Sequence, residues 1–128
     1  MSRKTSPVKK ILVVDDETDY LNIAAGLLEA EGYAVLKAVT GADGLAAASA
    51  GLPDLVVLDI GLPDMSGLEV NRRLKQDPAT SSIPVLLFTV RSELDLVKKA
   101  LASGAVGYTV KPFDPDQFLR DVARHLKS

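Results

Sequence analysis

Five short, nearly continuous apolar runs divide this chain: Ile11–Val14, Ala34–Val39, Leu55–Leu58, Val85–Phe88 and Tyr108–Val110. A strand with one wet face alternates apolar and polar residues, whereas a strand covered on both faces does not. Runs of this kind predict a parallel sheet sandwiched between helices. Five helix candidates fill the intervals, at roughly Asp19–Glu31, Ala42–Ala50, Leu68–Gln76, Glu93–Ser103 and Asp114–Leu126. Gly32 and Gly104 follow the first and fourth, where a left-handed residue closes a helix. Thr40 with Asp43 three residues on resembles a capping arrangement for the second. The third is entered through Gly67 and closes before Pro78. Asp114-Pro115-Asp116-Gln117 opens the fifth with an N-cap Asp, a Pro at the first helical position and a Gln at the third. In the fourth, Leu94, Val97 and Leu101 share one face. Leu96 falls off that face and is a candidate docking contact, with simple partial burial as the alternative.

Strands alternating with helices over 128 residues imply one open α/β domain with right-handed crossovers. Periodicity leaves the strand order open. The absence of cysteine excludes a disulfide framework, a zinc-thiolate site and a thiol nucleophile. A single histidine, His125, excludes a multi-histidine metal site and reads as a surface or helix-end residue. Fifteen basic and 17 acidic residues give a net charge of −2, which argues against nucleic-acid binding by bulk charge. Setting aside Arg3, Lys4, Lys9 and Lys10 leaves 11 basic against 17 acidic residues, so the body carries −6. The basic stretch 1–8 has no apolar core and is expected to be a solvated terminus rather than a signal peptide. No run approaches the length needed to span a bilayer, and the expected location is the cytoplasm.

Ligands of open α/β sheets bind outside the carboxyl ends of the strands. Strand one ends in Asp15-Asp16, strand three in Asp59, strand four in Thr89 and strand five in Lys111-Pro112. Each has a plain reading alone: a helix cap, a loop carboxylate, a β-forming residue, a strand exit. Together on one edge they are a chemical constellation. Three carboxylates repel one another unless a cation joins them. Mg²⁺ takes oxygen ligands and keeps waters that a phosphoryl oxygen can replace. A lysine and a hydroxyl supply the charge and the neutral donor that a phosphoryl group needs. Other α/β chemistries lack their marks. No GxGxxG, GxxxxGK[ST] or G-x-S-x-G occurs, and Asp15-Asp16-Glu17 would repel a flavin phosphate.

The segments ILVVDDE (Ile11–Glu17), LVVLDIGLPDMSGLEV (Leu55–Val70), VLLFT (Val85–Thr89) and GAVGYTVKPFD (Gly104–Asp114) resemble the receiver domain of two-component response regulators. The likeness runs from about Lys9 to Leu126, within a domain assigned to 9–128. It implies a flavodoxin-like α/β fold: a five-stranded parallel sheet in order 2-1-3-4-5 with five helices in a three-layer sandwich. It implies that Asp59 is the phosphoacceptor, taking its phosphoryl group from a phosphohistidine on a sensor histidine kinase or histidine phosphotransfer protein. By the same likeness Asp16 is the direct metal carboxylate, Asp15 acts through water, and Gly61 lends its backbone carbonyl to Mg²⁺, with Mn²⁺ as an alternative. Thr89 and Lys111 would hold phosphoryl oxygens, and the Lys111–Pro112 bond is often cis in the family. Thr89 and Tyr108 would form the switch that remodels the surface of helix four, strand five and helix five. The plain reading of Tyr108 is a half-buried aromatic at a strand start.

Three positions depart from the family. Val90 stands where a small residue is usual, Gly61 lacks a side chain that many relatives carry, and Arg91 places a long cation beside the pocket. These are candidate modulators of the phosphoryl site. The expected function is a phosphorylation-dependent signalling switch. It is not an enzyme beyond transfer to its own Asp59 and slow loss of that group. The alternative is a pseudo-receiver serving as a constitutive protein-binding module. A phosphohydrolase is disfavoured because Gly61 stands where a general acid would be required. The Met1 start leads to the expectation of a stand-alone receiver that docks on an unknown downstream protein without contacting nucleic acid.

Overall fold

A computed structural model describes residues 8–126. The strands are β1 (Lys10–Val14), β2 (Ala34–Ala38), β3 (Leu55–Asp59), β4 (Val85–Val90) and β5 (Gly107–Lys111). The helices are α1 (Thr18–Ala30), α2 (Gly41–Gly51), α3 (Gly67–Gln76), α4 (Leu94–Ala102) and α5 (Pro115–His125). All strand pairs are parallel, in the order β2-β1-β3-β4-β5. The sheet expected from the apolar runs is therefore present, in the order the family resemblance implied.

Successive strand residues face opposite ways, so each apolar run feeds two cores. Leu12, Val14, Val56, Leu58 and Leu87 pack on one face with Ala48 of α2, Val70 and Leu74 of α3, and Val97 and Ala100 of α4. Ile11, Val13, Val57 and Phe88 pack on the other with Leu21 and Leu28 of α1 and Phe118 and Val122 of α5. Aromatic rings dominate this second face. Phe88 stacks on Phe118 at 5.6 Å between centroids, Phe113 lies 5.3 Å from Phe88, and Tyr20 meets Phe88 edge-on at 6.0 Å.

β3 is buried throughout because it is the middle strand. β2 is at an edge and is only partly covered despite its continuous apolar run. It stops at Ala38, one residue short of expectation, and Val39 is exposed. Thr40 Oγ1 accepts the Asp43 N–H at 3.0 Å, and Asp114 Oδ2 accepts the Gln117 N–H at 3.0 Å, as their spacing predicted. Gly32 and Gly104 close α1 and α4 at φ of 95° and 106°.

The face assigned to helix four needs correction. Arg91–Glu93 form a 3-10 turn, and α4 proper starts at Leu94. Its buried stripe is Val97 with Ala100, three residues apart, so Leu101 falls outside it and is 39% exposed. Leu96 is partly buried against the core, which favours the plain alternative. His125 sits at the end of α5 against Gly107, where a Cβ would come within 2.9 Å of its Nε2. The expected basic terminus lies, except for Val8, outside the described residues.

Candidate phosphoryl-acceptor site

The carboxyl ends of β1, β3, β4 and β5 bring together the residues singled out in the sequence. Asp15 follows β1 directly, and its backbone N–H bonds to the Ala38 carbonyl at 3.0 Å, extending the β1–β2 pairing by one step. That bond fixes Asp15 as a buried residue at the sheet edge. Asp59 is the last residue of β3 and Lys111 the last of β5. The Lys111–Pro112 peptide is cis.

Lys111 is the hub. Its Nζ lies 2.8 Å from Asp15 Oδ2, 2.9 Å from Glu17 Oε1 and 3.5 Å from Asp59 Oδ1. Its ammonium also sits over the rings of Tyr20 and Phe88, at 4.6 and 5.1 Å from their centroids. Burial works against the charge, but the contacts with Asp15 and Glu17 and the Asp59 charge outweigh it and raise the lysine pKa. Asp59 moves the other way from an ordinary ion-paired carboxylate. Burial and the neighbouring Asp15 charge raise its pKa from 3.8 to about 7, against the opposing pull of Lys111 and the Gly61 N–H.

Three carboxylates therefore share one ammonium. Oxygens of Asp15, Glu17 and Asp59 all lie within 4.8 Å of one another. Asp15 Oδ1 accepts the Glu17 N–H at 2.9 Å, but its buried Oδ2 accepts no hydrogen bond. The Lys111 contact to Oδ2 is an ion pair without hydrogen-bond alignment. Excess negative charge, an all-oxygen donor set and an orphaned buried carboxylate oxygen fit a hard divalent cation.

Asp16 is exposed and lies outside this group, whereas Glu17 lies within it. Glu17 was missed in the sequence reading, where it counted only as the third acid of ILVVDDE. It occupies the N-cap position of α1 without capping it, and its longer side chain turns back to Lys111 instead. Gly61 is exposed on the loop after β3 and donates its N–H to Asp59 Oδ1 at 3.4 Å. Two close contacts hold that loop. Gly67 starts α3 so near β3 that a Cβ there would collide with the Asp59 carbonyl. Asp64 caps α2 from across the loop, taking the Gly41 and Ala42 N–H groups at 2.7 and 2.9 Å. Those N–H groups lower the Asp64 pKa.

Thr89 is buried, and its hydroxyl donates to the Val90 carbonyl at 3.1 Å. Val90 ends β4 with 38% of its surface exposed, and Tyr108 on β5 is 45% exposed. The side chain of Arg91 is outside the described residues.

The acidic cluster and the buried lysine stand outside the carboxyl ends of the strands, where doubly wound sheets bind their ligands. The family model for the response regulator receiver domain matches residues 11–123, and the chain belongs to that family. It is 35% identical to protein PilH of Pseudomonas aeruginosa over 113 residues, covering 88% of this chain and 93% of PilH. It is 39% identical to the phosphate regulon transcriptional regulatory protein PhoB of the same organism, covering 94% of this chain but 51% of PhoB. Chemotaxis response regulator CheY4 of Vibrio cholerae superposes with a TM-score of 0.88 at 29% identity, covering 94% of this chain and all of CheY4.

A receiver domain is a signalling domain of two-component systems rather than a classical enzyme. Receiver domains interact with histidine kinases or phosphotransfer proteins and generally bind Mg²⁺ through acidic residues. Among the described residues no helix is long and apolar enough to cross a membrane.

Proposed function

We propose that residues 9–128 form a switch operated by phosphorylation of Asp59. The observation that carries this reading is the Lys111 ammonium held among Asp15, Glu17 and Asp59 at the carboxyl edge of the sheet. An Asp59 carboxylate oxygen attacks the phosphorus of a phosphohistidine on a sensor kinase or phosphotransfer protein. The phosphorus–nitrogen bond breaks, and the imidazole leaves with the electron pair. By the family resemblance Asp15, Asp16, Asp59 and the Gly61 carbonyl would hold Mg²⁺, while in this structure Glu17 rather than Asp16 stands with Asp15 and Asp59. Bound there, the cation supplies positive charge to offset the acceptor carboxylate and the phosphoryl group. Lys111 releases Glu17 and takes a phosphoryl oxygen, and the Thr89 hydroxyl turns from the Val90 carbonyl to take another.

That turn vacates space behind Thr89, and Tyr108 moves from its exposed position to fill it. The surface of α4, β5 and α5 is thereby remodelled for a downstream protein, by a shift in population between two states. Autodephosphorylation is slow, the site acts on no outside substrate, and the chain works in the cytoplasm without touching nucleic acid.

The test is labelling by phosphoramidate, or by a phosphorylated kinase, followed by intact mass. Wild-type protein gains one phosphoryl group only with Mg²⁺, and Asp59→Asn gains none. Labelling of Asp59→Asn at the wild-type rate would show that the acceptor lies elsewhere.

A further inference from the structure

The β3–α3 loop that carries Gly61 is pinned where it leaves β3. The Ile60 N–H bonds to the Phe88 carbonyl at 3.3 Å, and the Gly67 N–H bonds back to the Ile60 carbonyl at 2.7 Å. Between those points the loop leans on α2. Asp64 Oδ1 accepts the Gly41 N–H at 2.7 Å, and its Oδ2 accepts the Ala42 N–H at 2.9 Å. Thr40, the helix's own N-cap, takes only the Asp43 N–H. Asp64 thus fills, from another segment, donors that a helix start leaves open. Met65 packs on the same turn, where a Cβ at Gly41 would come within 2.5 Å of its Cγ. On its other side α2 is pressed onto β1. A Cβ at Gly44 would come within 2.9 Å of Val14 Cγ2, and Val14 immediately precedes Asp15. Through α2, Asp64 therefore braces the two halves of the acidic site against each other. One half is Asp15, and the other is Asp59 with the Gly61 N–H 3.4 Å from its Oδ1.

We infer that Asp64 is a positioning residue for the divalent cation, an inference that rests on Asp15, Asp59 and the Gly61 carbonyl forming the cation site. Asp64 itself touches neither cation nor phosphoryl group. It holds the loop bearing Gly61 at a fixed distance from β1 before the cation arrives. Gly61 is exposed, and a backbone carbonyl on an exposed loop is a poor ligand when binding must also order the loop. A loop already tethered escapes that loss of conformational entropy at the moment of binding. Groups behind the ligands govern metal affinity in this way. The contact suits a tether, because both bonds are charge-assisted and the carboxylate sits at the positive end of a helix. The competing effect is plain attraction between the Asp64 charge and the cation. Salt screens that attraction and leaves the tether in place.

The experiment measures Mg²⁺ binding to the unphosphorylated full chain by calorimetry at high salt. It compares wild type with Asp64→Ala, Asp64→Asn and Thr40→Ala, with circular dichroism confirming that each is folded. Asp64→Ala should weaken Mg²⁺ binding about tenfold, the usual scale for a group behind the ligands. Asp64→Asn keeps one acceptor oxygen and should fall between it and wild type. Thr40→Ala removes a cap from the same helix turn without freeing the loop, and should bind Mg²⁺ as wild type does. Labelling of Asp64→Ala by phosphoramidate should be slow at limiting Mg²⁺ and recover when Mg²⁺ is saturating. Unchanged Mg²⁺ affinity in Asp64→Ala overturns the inference, as does an equal loss in Thr40→Ala. Should Asp64→Ala fail to fold, Asp64→Asn decides by the same criterion. A wild-type chain that binds no Mg²⁺ overturns the cation site itself, and this inference with it.

Discussion

Glu17 Oε1 lies 2.9 Å from Lys111 Nζ and joins the loop after β1 to the end of β5. The bond places a carboxylate oxygen on the ammonium that a phosphoryl oxygen would claim. The two partners are not equal. The Glu17 side chain is 56% exposed, while that of Lys111 is 1% exposed. Glu17→Ala should therefore change stability by less than about 1 kcal/mol. Lys111→Ala strands Asp15 and Asp59 together in a buried site and should cost about 3 kcal/mol without divalent cation. Urea unfolding with and without Mg²⁺ checks this, because the cation should recover part of the Lys111→Ala loss and little of the Glu17→Ala change.

The raised pKa of Asp59 gives a pH dependence of unusual sign for a carboxylate. In the unfolded chain the group ionises near 3.8, and in the folded chain near 7. Between these values the unfolded state binds fewer protons, so stability falls as pH rises and the penalty is complete above about 7. Asp59→Asn removes that penalty. Without Mg²⁺ it should be more stable than wild type at pH 8 by about 1–2 kcal/mol, allowing for screening at the open side. The two should converge near pH 4. Thermal unfolding across pH is the measurement, and a constant difference between the proteins would contradict the assignment.

Gly67 is required by close approach rather than by dihedral freedom. Gly67→Ala drives a methyl group into the Asp59 carbonyl and should destabilise by about 2 kcal/mol. It should also slow labelling of Asp59, because α3 and the loop bearing Gly61 must shift together. Gly26→Ala, with open space around its Cβ position, is the control and should do neither.

Val90 borders the site at the end of β4 with a branched side chain. Val90→Ala should open the approach for small phosphodonors and for attacking water. Labelling by phosphoramidate should quicken and the phosphoryl lifetime shorten, both by a few-fold. A lifetime that is unchanged or longer in the variant would exclude crowding by Val90.

Much of this was legible in the residues because each signal was local. The apolar runs locate all five strands, and the caps at Thr40 and Asp114 locate helix starts, since both depend on side chains within a few residues. Asp15, Asp59, Thr89 and Lys111 stand at the carboxyl ends of the strands as expected, because a strand frame fixes which residues lie there. What escaped depends on side-chain reach between segments. Glu17 sits at a helix N-cap, where the local expectation is a backbone hydrogen bond, and turns to Lys111 instead. The stripe of α4 was misjudged at Leu101 because a 3-10 turn delays the start of the helix, which sequence periodicity does not register.

The segregation of the two cores has a mechanical consequence. α4 rests only on the aliphatic face of the sheet, among residues such as Val97 and Leu87. Lys111 is braced from the opposite face by Phe88 and Tyr20, within the interlocked rings that include Phe113 and Phe118. The chain is thus built like an anvil with a hinged plate. The aromatic side braces the lysine, and the plate rests on the other face, so under the proposed switch α4 could shift without passing through the rings that hold Lys111.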